Sequence, residues 1–270
     1  MSPNGSSLRP VCLITGASAG IGAELARIFA AHGHHVVLTA RHEATLNAVA
    51  DSIAAAGAPR PHVVAADLTQ ADGIERLAQA LVAAGLEPAY LVNNAGFGLV
   101  GDAAVIDRAE QLRMIDLNNR ALTDLTLRFI GSVTRRRGGI LNVASIAAFL
   151  PGPGMAVYHA SKAYVLSLSE ALHEELKDDG VRVCALCPGP SPATGFFRRA
   201  GLPAGYFPAA LMRDAASIAR AGYDGFMGGH RVVVPGKPNR IVTLLPRLLP
   251  RGLIRAAGDW RWRRKRRALM

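Results

Sequence analysis

Residues 15–22 read Thr15-Gly16-Ala17-Ser18-Ala19-Gly20-Ile21-Gly22 and join an apolar run at 11–14 to a helical pattern at 21–31. Glycines at a strand-to-helix turn permit a tight bend and let backbone N–H groups approach a pyrophosphate at the positive end of the helix. Turns also use glycine for purely steric reasons, so this spacing alone is weak evidence. Its position between a strand and a helix favours a dinucleotide-binding turn.

Short apolar runs alternate with helical patterns along most of the chain. The runs show neither polar alternation nor charge, as is typical of parallel strands that are buried on both faces. The predicted strands are 11–14, 35–39, 63–65, 89–92, 140–144, 181–186 and 231–234, and the predicted helices are 21–31, 43–55, 74–83, 109–134, 158–176 and 212–226. This order predicts an α/β fold. We expect a single doubly wound Rossmann-type domain over residues 8–235, with a mainly parallel seven-stranded sheet and helices on both faces.

The net charge of +11 is confined to the end of the chain. Residues 231–270 hold 12 basic side chains and one acidic one, Asp259, whereas residues 1–230 hold 19 of each sign. A domain without a basic excess is a poor candidate for nucleic-acid binding, so we expect no nucleic-acid partner. Hydrophobic residues make up 50% of the chain and charged residues 19%, which excludes a disordered protein.

Three cysteines, Cys12, Cys184 and Cys187, are too few, and odd in number, for a disulfide framework. This favours a reducing compartment, and with no signal peptide recognisable at the N-terminus we expect a cytoplasmic protein. Cys184 and Cys187 form a C-x-x-C pair inside an apolar run, without the helix start that activates a redox thiol. Packing is therefore favoured over redox chemistry, and we expect no metal site.

Residues 236–270 form a basic appendage rich in leucine, proline, arginine and tryptophan. Pro246 and Pro250 prevent one long regular helix. Trp260 and Trp262 lie among arginines, a combination that an anionic membrane surface attracts. Three interpretations stay open, namely peripheral membrane association, packing on the body or on a partner subunit, and a frayed terminus.

Further motifs follow the glycine-rich turn in a definite order. They are Asn-Asn-Ala-Gly at 93–96, Asn118 in the long helix, Ser145 after the fifth strand, Tyr158-x-x-x-Lys162 in the next helix, and Pro188-Gly189 after the sixth strand. With the T-G-x-x-x-G-x-G turn, this series resembles the short-chain dehydrogenase/reductase family over residues 10–235. The resemblance implies a nicotinamide-dependent enzyme acting on CH–OH groups, assembled as a homodimer or homotetramer.

The expected chemistry centres on Tyr158 and Lys162, which are four residues apart and thus on one helix face. A neighbouring ammonium is expected to lower the pKa of the phenol, which is otherwise near 10, by favouring the phenolate. Ser145 lies at the strand end where ligands bind in open α/β sheets, and is expected to hold the substrate oxygen. The resemblance implies that Lys162 also contacts the nicotinamide ribose and that Asn118 places a water that relays protons through Lys162. Each of these residues alone has a structural alternative, such as a strand-end cap for Ser145.

The end of the second strand selects the cofactor. An acid there would bind the ribose 2′-hydroxyl of NAD, but the chain has Ala40, Arg41 and His42. A guanidinium suits a 2′-phosphate, although an arginine at a helix start can also be simply solvated. We therefore predict NADP (NADPH) as the cofactor.

The resemblance implies additional cofactor contacts. Asp67-Leu68 matches the pair that contacts adenine in the family, and Asp67 is also able to cap the following helix. The family places a threonine against the carboxamide after Pro-Gly, but the run here is one residue longer, which leaves Thr194 and Ser191 as alternatives. The complete predicted set is Gly16, Ser18, Gly20, Ile21, Gly22, Arg41, Asp67, Leu68, Asn93, Asn94, Ala95, Gly96, Tyr158, Lys162, Pro188, Gly189 and Thr194.

A lid is predicted at about residues 190–212. Its large apolar side chains are Phe196, Phe197, Leu202, Tyr206 and Phe207. They favour a bulky or apolar ketone, alcohol or hydroxy acid, or else they only pack the lid onto the body. The predicted function is hydride transfer between the nicotinamide and a carbonyl or secondary alcohol, with Tyr158 as general acid/base. The alternative is a non-enzymatic NADP-binding sensor or scaffold.

Overall fold

The computed structural model describes residues 8–192, 195–201 and 206–269. A parallel sheet lies at its centre, in the order β3-β2-β1-β4-β5-β6-β7. The strands are β1 (Arg9–Thr15), β2 (Val36–Ala40), β3 (His62–Ala65), β4 (Leu86–Asn93), β5 (Gly139–Val143), β6 (Arg182–Leu186) and β7 (Val232–Val233). The strand order changes direction between β1 and β4, which opens a crevice at their carboxyl ends. The predicted doubly wound, seven-stranded fold is confirmed.

Helices cover both faces of the sheet. They are α1 (Gly20–Ala31), α2 (Glu43–Ala55), α3 (Gly73–Ala83), α4 (Arg108–Ile115), α5 (Leu122–Arg135), α6 (Ala156–Leu176), α7 (Gly195–Ala200), α8 (Ala215–Met227), α9 (Lys237–Leu248) and α10 (Arg251–Leu269). One apolar core joins α1, α2 and α8 to the sheet, with Phe29 and Phe226 fully buried. A second core on the opposite face includes Leu77 of α3, Leu125 of α5 and Leu172 of α6.

The helix predicted over 109–134 is not continuous. Between α4 and α5 the backbone forms a π-helical turn, Asp116–Ala121, which contains Asn118. A π turn changes the hydrogen-bond spacing for only one turn, so the apolar periodicity of the flanking helices conceals it. Such turns occur frequently at functional sites.

The basic appendage forms two helices, α9 and α10, which are joined by Leu249 and Pro250. Pro246 lies inside α9. Trp262 of α10 is buried against the body, and its Nε1 donates a 2.9 Å hydrogen bond to Oδ1 of Asp102. The inward side of the appendage is therefore packed on the body. This excludes the interpretation that the whole appendage is a frayed terminus.

All three cysteines are buried. Burial raises the pKa of the Cys184 thiol to about 12, and it also raises the pKa of Cys12 and Cys187. Such thiols are not activated for redox chemistry, in agreement with the packing interpretation of the C-x-x-C pair. Among the described residues no helix is long and apolar enough to cross a membrane.

Candidate active site

A cavity of about 820 Å³ lies at the carboxyl ends of the central strands. Its floor is formed by the loops after β1, β4, β5 and β6, and its walls by α7 and the appendage. The volume lies within the range of ordinary small-molecule sites. The position is the one that the strand order predicts for a ligand.

The glycine-rich turn is shaped by contacts that exclude side chains. A Cβ atom on Gly22 would lie 2.4 Å from both the carbonyl oxygen of Gly16 and Nδ2 of Asn94. Gly16 itself has a φ of +64°, a left-handed conformation that favours glycine. Nδ2 of Asn94 donates to the carbonyl oxygens of Thr15 (2.9 Å) and Gly16 (3.1 Å), which holds the turn against the end of β4.

The first turn of α1 is suited to an anion. Its N-cap residue, Ala19, has no polar side chain, so the free N–H groups at this helix start are left for another acceptor. Ser18, Gly20 and Ile21 line the cavity at this point. The bare backbone, the close glycine contacts and the helix start together fit a dinucleotide pyrophosphate.

The two neighbouring asparagines at the end of β4 have different environments. Asn94 lines the cleft, whereas the side chain of Asn93 is buried beneath it. Nδ2 of Asn93 donates to Oγ1 of Thr126 (3.1 Å) and to Oδ1 of Asn142 (2.9 Å). The side-chain amide of Asn93 thus joins β4 to β5 and α5, and the predicted cofactor contact by Asn93 stays a prediction.

Ser145, Tyr158 and Lys162 meet in the cleft, as their order in the sequence predicts. Tyr158 and Lys162 lie on successive turns of α6, and Ser145 begins a short 3-10 turn after β5. Nζ of Lys162 is 6.0 Å from the centre of the Tyr158 ring and donates a 2.8 Å hydrogen bond to the carbonyl oxygen of Val143. All three side chains are buried.

Burial dominates the ionisation of this group. It raises the pKa of Tyr158 to about 12, although a hydrogen bond with Ser145 acts in the opposite direction. Burial also lowers the pKa of Lys162 to about 8. The predicted lowering of the Tyr158 pKa is therefore wrong, because desolvation of the phenolate is the largest effect and Lys162 bonds to Val143.

The side chain of Asn118 is hydrogen-bonded to the loop that follows β4. Its Oδ1 accepts from the N–H of Phe97 at 3.0 Å, and its Nδ2 donates to the carbonyl oxygen of Phe97 and to Oγ of Ser161, each at 3.0 Å. A Cβ atom on Gly96 would lie 2.9 Å from Oδ1 of Asn118 and 3.3 Å from Nζ of Lys162. The amide thus holds the loop beside Lys162, while the predicted water relay stays a prediction.

Arg41 and Asp67 lie at the other end of the cleft. Oδ1 of Asp67 accepts from the N–H (3.0 Å) and the hydroxyl (2.7 Å) of Thr69. Desolvation would raise the pKa of Asp67, but these hydrogen bonds and the charge of Arg41 lower it. The N-cap of α3 is Asp72, so the suggested capping of that helix by Asp67 is wrong.

The remaining predicted cofactor contacts are mostly in the cleft. Leu68, Ala95, Gly96, Pro188 and Gly189 line it. Ser191 is buried and also lines it, while Thr194 lies outside the described residues. Ser191 therefore remains a candidate for the carboxamide contact.

The described part of the predicted lid brings aromatic rings close to Tyr158. The Phe196 ring is 5.3 Å from the Tyr158 ring, and Phe197 packs edge-on against Phe207 at 5.8 Å. The guanidinium of Arg199 lies 3.7 Å from the centre of the Phe97 ring. Leu202, the remaining predicted lid residue, lies outside the described residues.

The appendage forms a wall of the site that the sequence interpretation missed. Its cleft-lining residues are Val242, Leu245, Pro246, Leu249, Leu253, Ile254, Gly258 and Trp262. Three of these, Ile254, Gly258 and Trp262, recur every four residues, which places them on one face of α10. This four-residue spacing is the signal in the sequence from which the wall could have been predicted.

Comparisons with known proteins show which family this chain is similar to. A family model described as short chain dehydrogenase matches residues 10–200. A short-chain dehydrogenase from Sphingobium yanoikuyae, solved in complex with NADPH, has 33% identity and a TM-score of 0.76, covering 84% of this chain and 88% of its own. A bulky-bulky ketone specific alcohol dehydrogenase from Comamonas testosteroni has 30% identity and a TM-score of 0.72, covering 85% and 87%.

A longer relative matches only in part. The very-long-chain 3-oxoacyl-CoA reductase of Coprinopsis cinerea is 35% identical over 174 residues, which are 63% of this chain and 51% of that protein. The match thus spans about half the length of the fungal enzyme.

Proposed function

The chain belongs to the short-chain dehydrogenase/reductase family, and on this basis we propose that it is an NADP-dependent oxidoreductase that transfers a hydride between the nicotinamide and a carbonyl or secondary alcohol. The observation that carries the proposal is the meeting of Ser145, Tyr158 and Lys162 in one buried cleft. The glycine-rich turn that opens the same cleft fits a dinucleotide.

In the reductive direction the chain's own residues hold the substrate oxygen and supply a proton. NADPH, when bound, supplies the hydride. A hydrogen bond from Ser145 stabilises the Tyr158 phenolate, which places both hydroxyl groups where a carbonyl oxygen would bind. A phenol with a pKa of about 12 stays protonated at neutral pH, so the proton for the general acid step is present on Tyr158. Lys162 is held by Val143 at the side of the ring.

NADPH is the proposed cofactor because the adenine end of the cleft carries Arg41 and no acid directly after β2. A guanidinium favours the 2′-phosphate, and an acid at this place would repel it. The NADPH complex of the Sphingobium relative supports this choice.

The proposed substrate is a bulky, apolar ketone or the corresponding alcohol. The half of the cleft around Tyr158 is walled by Phe196, Phe197 and the apolar face of the appendage. Such walls favour ligands that bury carbon surface. The relative from Comamonas testosteroni, which is specific for bulky-bulky ketones, supports the same class.

The test is the loss of NADPH absorbance during incubation with a panel of aryl, alkyl and hydroxy-acid carbonyl compounds. We expect turnover with bulky ketones, slower turnover with short ones, and at least about hundredfold slower turnover by Tyr158→Phe. Tight NADPH binding without turnover across the panel would instead support the sensor or scaffold alternative. A higher kcat/KM with NADH than with NADPH would overturn the cofactor assignment.

A further inference from the structure

The outward side of the appendage carries exposed apolar side chains. We call outer face the set Ile241, Leu244 and Leu248 of α9 and Trp260 of α10, whose exposed fractions are 58%, 51%, 79% and 63%. The three residues of α9 are spaced three and four apart, so they form one stripe along the helix. None of the four lines the cleft.

The inward side of the same helices is what attaches them to the body. Asn239 and Thr243 of α9 are buried, and Asn239 donates to the carbonyl oxygens of Pro235 (2.9 Å) and Leu211 (3.2 Å). On α10, Gly258 packs against Pro153, and Trp262 is hydrogen-bonded to Asp102. The outer face is therefore not needed to hold the helices in place.

Positive charge surrounds the outer face. Arg240, Arg255, Arg263 and Arg264 are exposed, and the guanidinium of Arg264 lies 5.4 Å from the centre of the Trp260 ring. The one acid in residues 231–270, Asp259, already pairs with Arg263 at 2.8 Å. Eleven basic residues against this single acid make the appendage strongly cationic, whereas residues 1–235 hold 20 basic and 19 acidic side chains.

Apolar stripes flanked by arginine and tryptophan match one kind of partner. Leucine and tryptophan side chains enter the boundary between lipid headgroups and acyl chains, while arginines attract anionic headgroups. A second copy of the chain would bring two cationic appendages together, which like-charge repulsion opposes. A nucleic acid would satisfy the arginines but leave the leucines without an apolar partner.

We propose that the outer face docks on the surface of a membrane that contains anionic phospholipids, with α9 and α10 lying along the interface. Leu245, Leu249 and Leu253 are partly exposed and also line the cleft. The docking surface therefore adjoins the rim of the cleft. If the proposed function holds, an apolar substrate dissolved in the bilayer reaches the site from this side.

Vesicle co-sedimentation of the full chain tests the docking directly. Vesicles of phosphatidylcholine alone are compared with vesicles that also contain phosphatidylglycerol, in low and in high salt. We expect the partition coefficient to be at least about tenfold higher on the anionic vesicles and to fall as salt screens the arginines. Leu248→Glu and Trp260→Glu should each lower it by about tenfold, because each removes an apolar anchor and adds a repelled charge.

Val82→Glu is the matched control, since Val82 is 66% exposed on α3, outside the appendage. It should bind vesicles as the unmodified chain does. NADPH oxidation with a water-soluble ketone should be unchanged in all three variants, so a folding defect or a failure of the proposed function is distinguished from a docking defect.

Three results would overturn the proposal. The first is equal binding to neutral and anionic vesicles, or none to either. The second is a loss of binding in Val82→Glu as large as in Leu248→Glu. The third is a doubled mass in light scattering without vesicles that Leu248→Glu returns to the monomer, which would assign the outer face to a second copy.

Discussion

The indole nitrogen of Trp262 donates a 2.9 Å hydrogen bond to Oδ1 of Asp102, across 160 residues of sequence. Asp102 lies in the loop after β4, and Gly154, in the loop before α6, faces the same indole ring. A Cβ atom on Gly154 would lie 2.3 Å from the ring. Helix α10 is thus packed against two loops that border the cleft, and it belongs to the wall of the cleft.

Trp262→Phe should weaken the binding of bulky substrates. Phenylalanine keeps an aromatic ring but loses the N–H group, and a hydrogen bond to a carboxylate contributes about 1.5–3 kcal/mol. We expect KM for a bulky ketone to rise about tenfold, with little change in kcat for a small ketone. Steady-state kinetics of Trp262→Phe and of the exposed control Trp260→Phe measure this, and equal KM values in the two variants would contradict it.

Arg41→Glu should reverse the cofactor preference. The substitution removes a cation from the adenine end of the cleft and introduces a carboxylate that repels a 2′-phosphate. We expect kcat/KM with NADPH to fall at least about tenfold, while kcat/KM with NADH falls less or rises. Arg9→Glu at the opposite end of β1 is the control. An unchanged NADPH-to-NADH ratio in Arg41→Glu would remove Arg41 from the phosphate site.

Lys162→Met should stabilise the protein at neutral pH. Burial lowers the folded-state pKa of Lys162 from 10.5 to about 8, so charging it in the folded protein costs about 3 kcal/mol. The lost hydrogen bond to Val143 offsets about 1 kcal/mol of this. We expect a net gain of about 2 kcal/mol in the free energy of unfolding at pH 7.

The advantage of Lys162→Met should shrink as the pH rises. Between the folded pKa of about 8 and the unfolded value of 10.5, only the unfolded chain still binds the proton, so the stability of the parent protein increases with pH. Urea unfolding at neutral and alkaline pH measures both effects. Lys177→Met, at an exposed position, should show neither. A variant less stable than the parent at pH 7 would show that Lys162 is not destabilising.

The sheet was predictable from the sequence because its strands are continuous apolar runs separated by helical patterns. Each predicted strand lies within a few residues of an observed one. The family resemblance is confirmed by the match of the short chain dehydrogenase family model to residues 10–200. The meeting of Ser145, Tyr158 and Lys162 was predictable for the same reason, since parallel strands bring their carboxyl ends to one edge.

Other features depend on contacts that no local pattern encodes. Asn93 and Asn94 are adjacent and chemically identical, yet alternation along β4 turns only one of them to the cleft. The pKa of Tyr158 follows from how much solvent the folded protein removes, which residue spacing does not show. The role of the appendage as a wall depends on the contact of Trp262 with Asp102 and Gly154.

Tyr158→Phe should remove the proton transfer and leave the fold intact. The phenol hydroxyl is the group that the cleft presents beside Ser145, and general acid catalysis contributes about 10²–10⁴-fold to kcat. We therefore expect kcat for ketone reduction to fall at least about a hundredfold, with NADPH affinity, measured by fluorescence titration, within about twofold of the parent. Tyr164→Phe, an exposed tyrosine on the same helix, should retain full activity. Because burial raises the pKa of Tyr158 to about 12, its loss of a proton should not lower kcat/KM for reduction up to about pH 9. A Tyr158→Phe variant that keeps more than about a hundredth of the parent kcat would assign the proton to another donor.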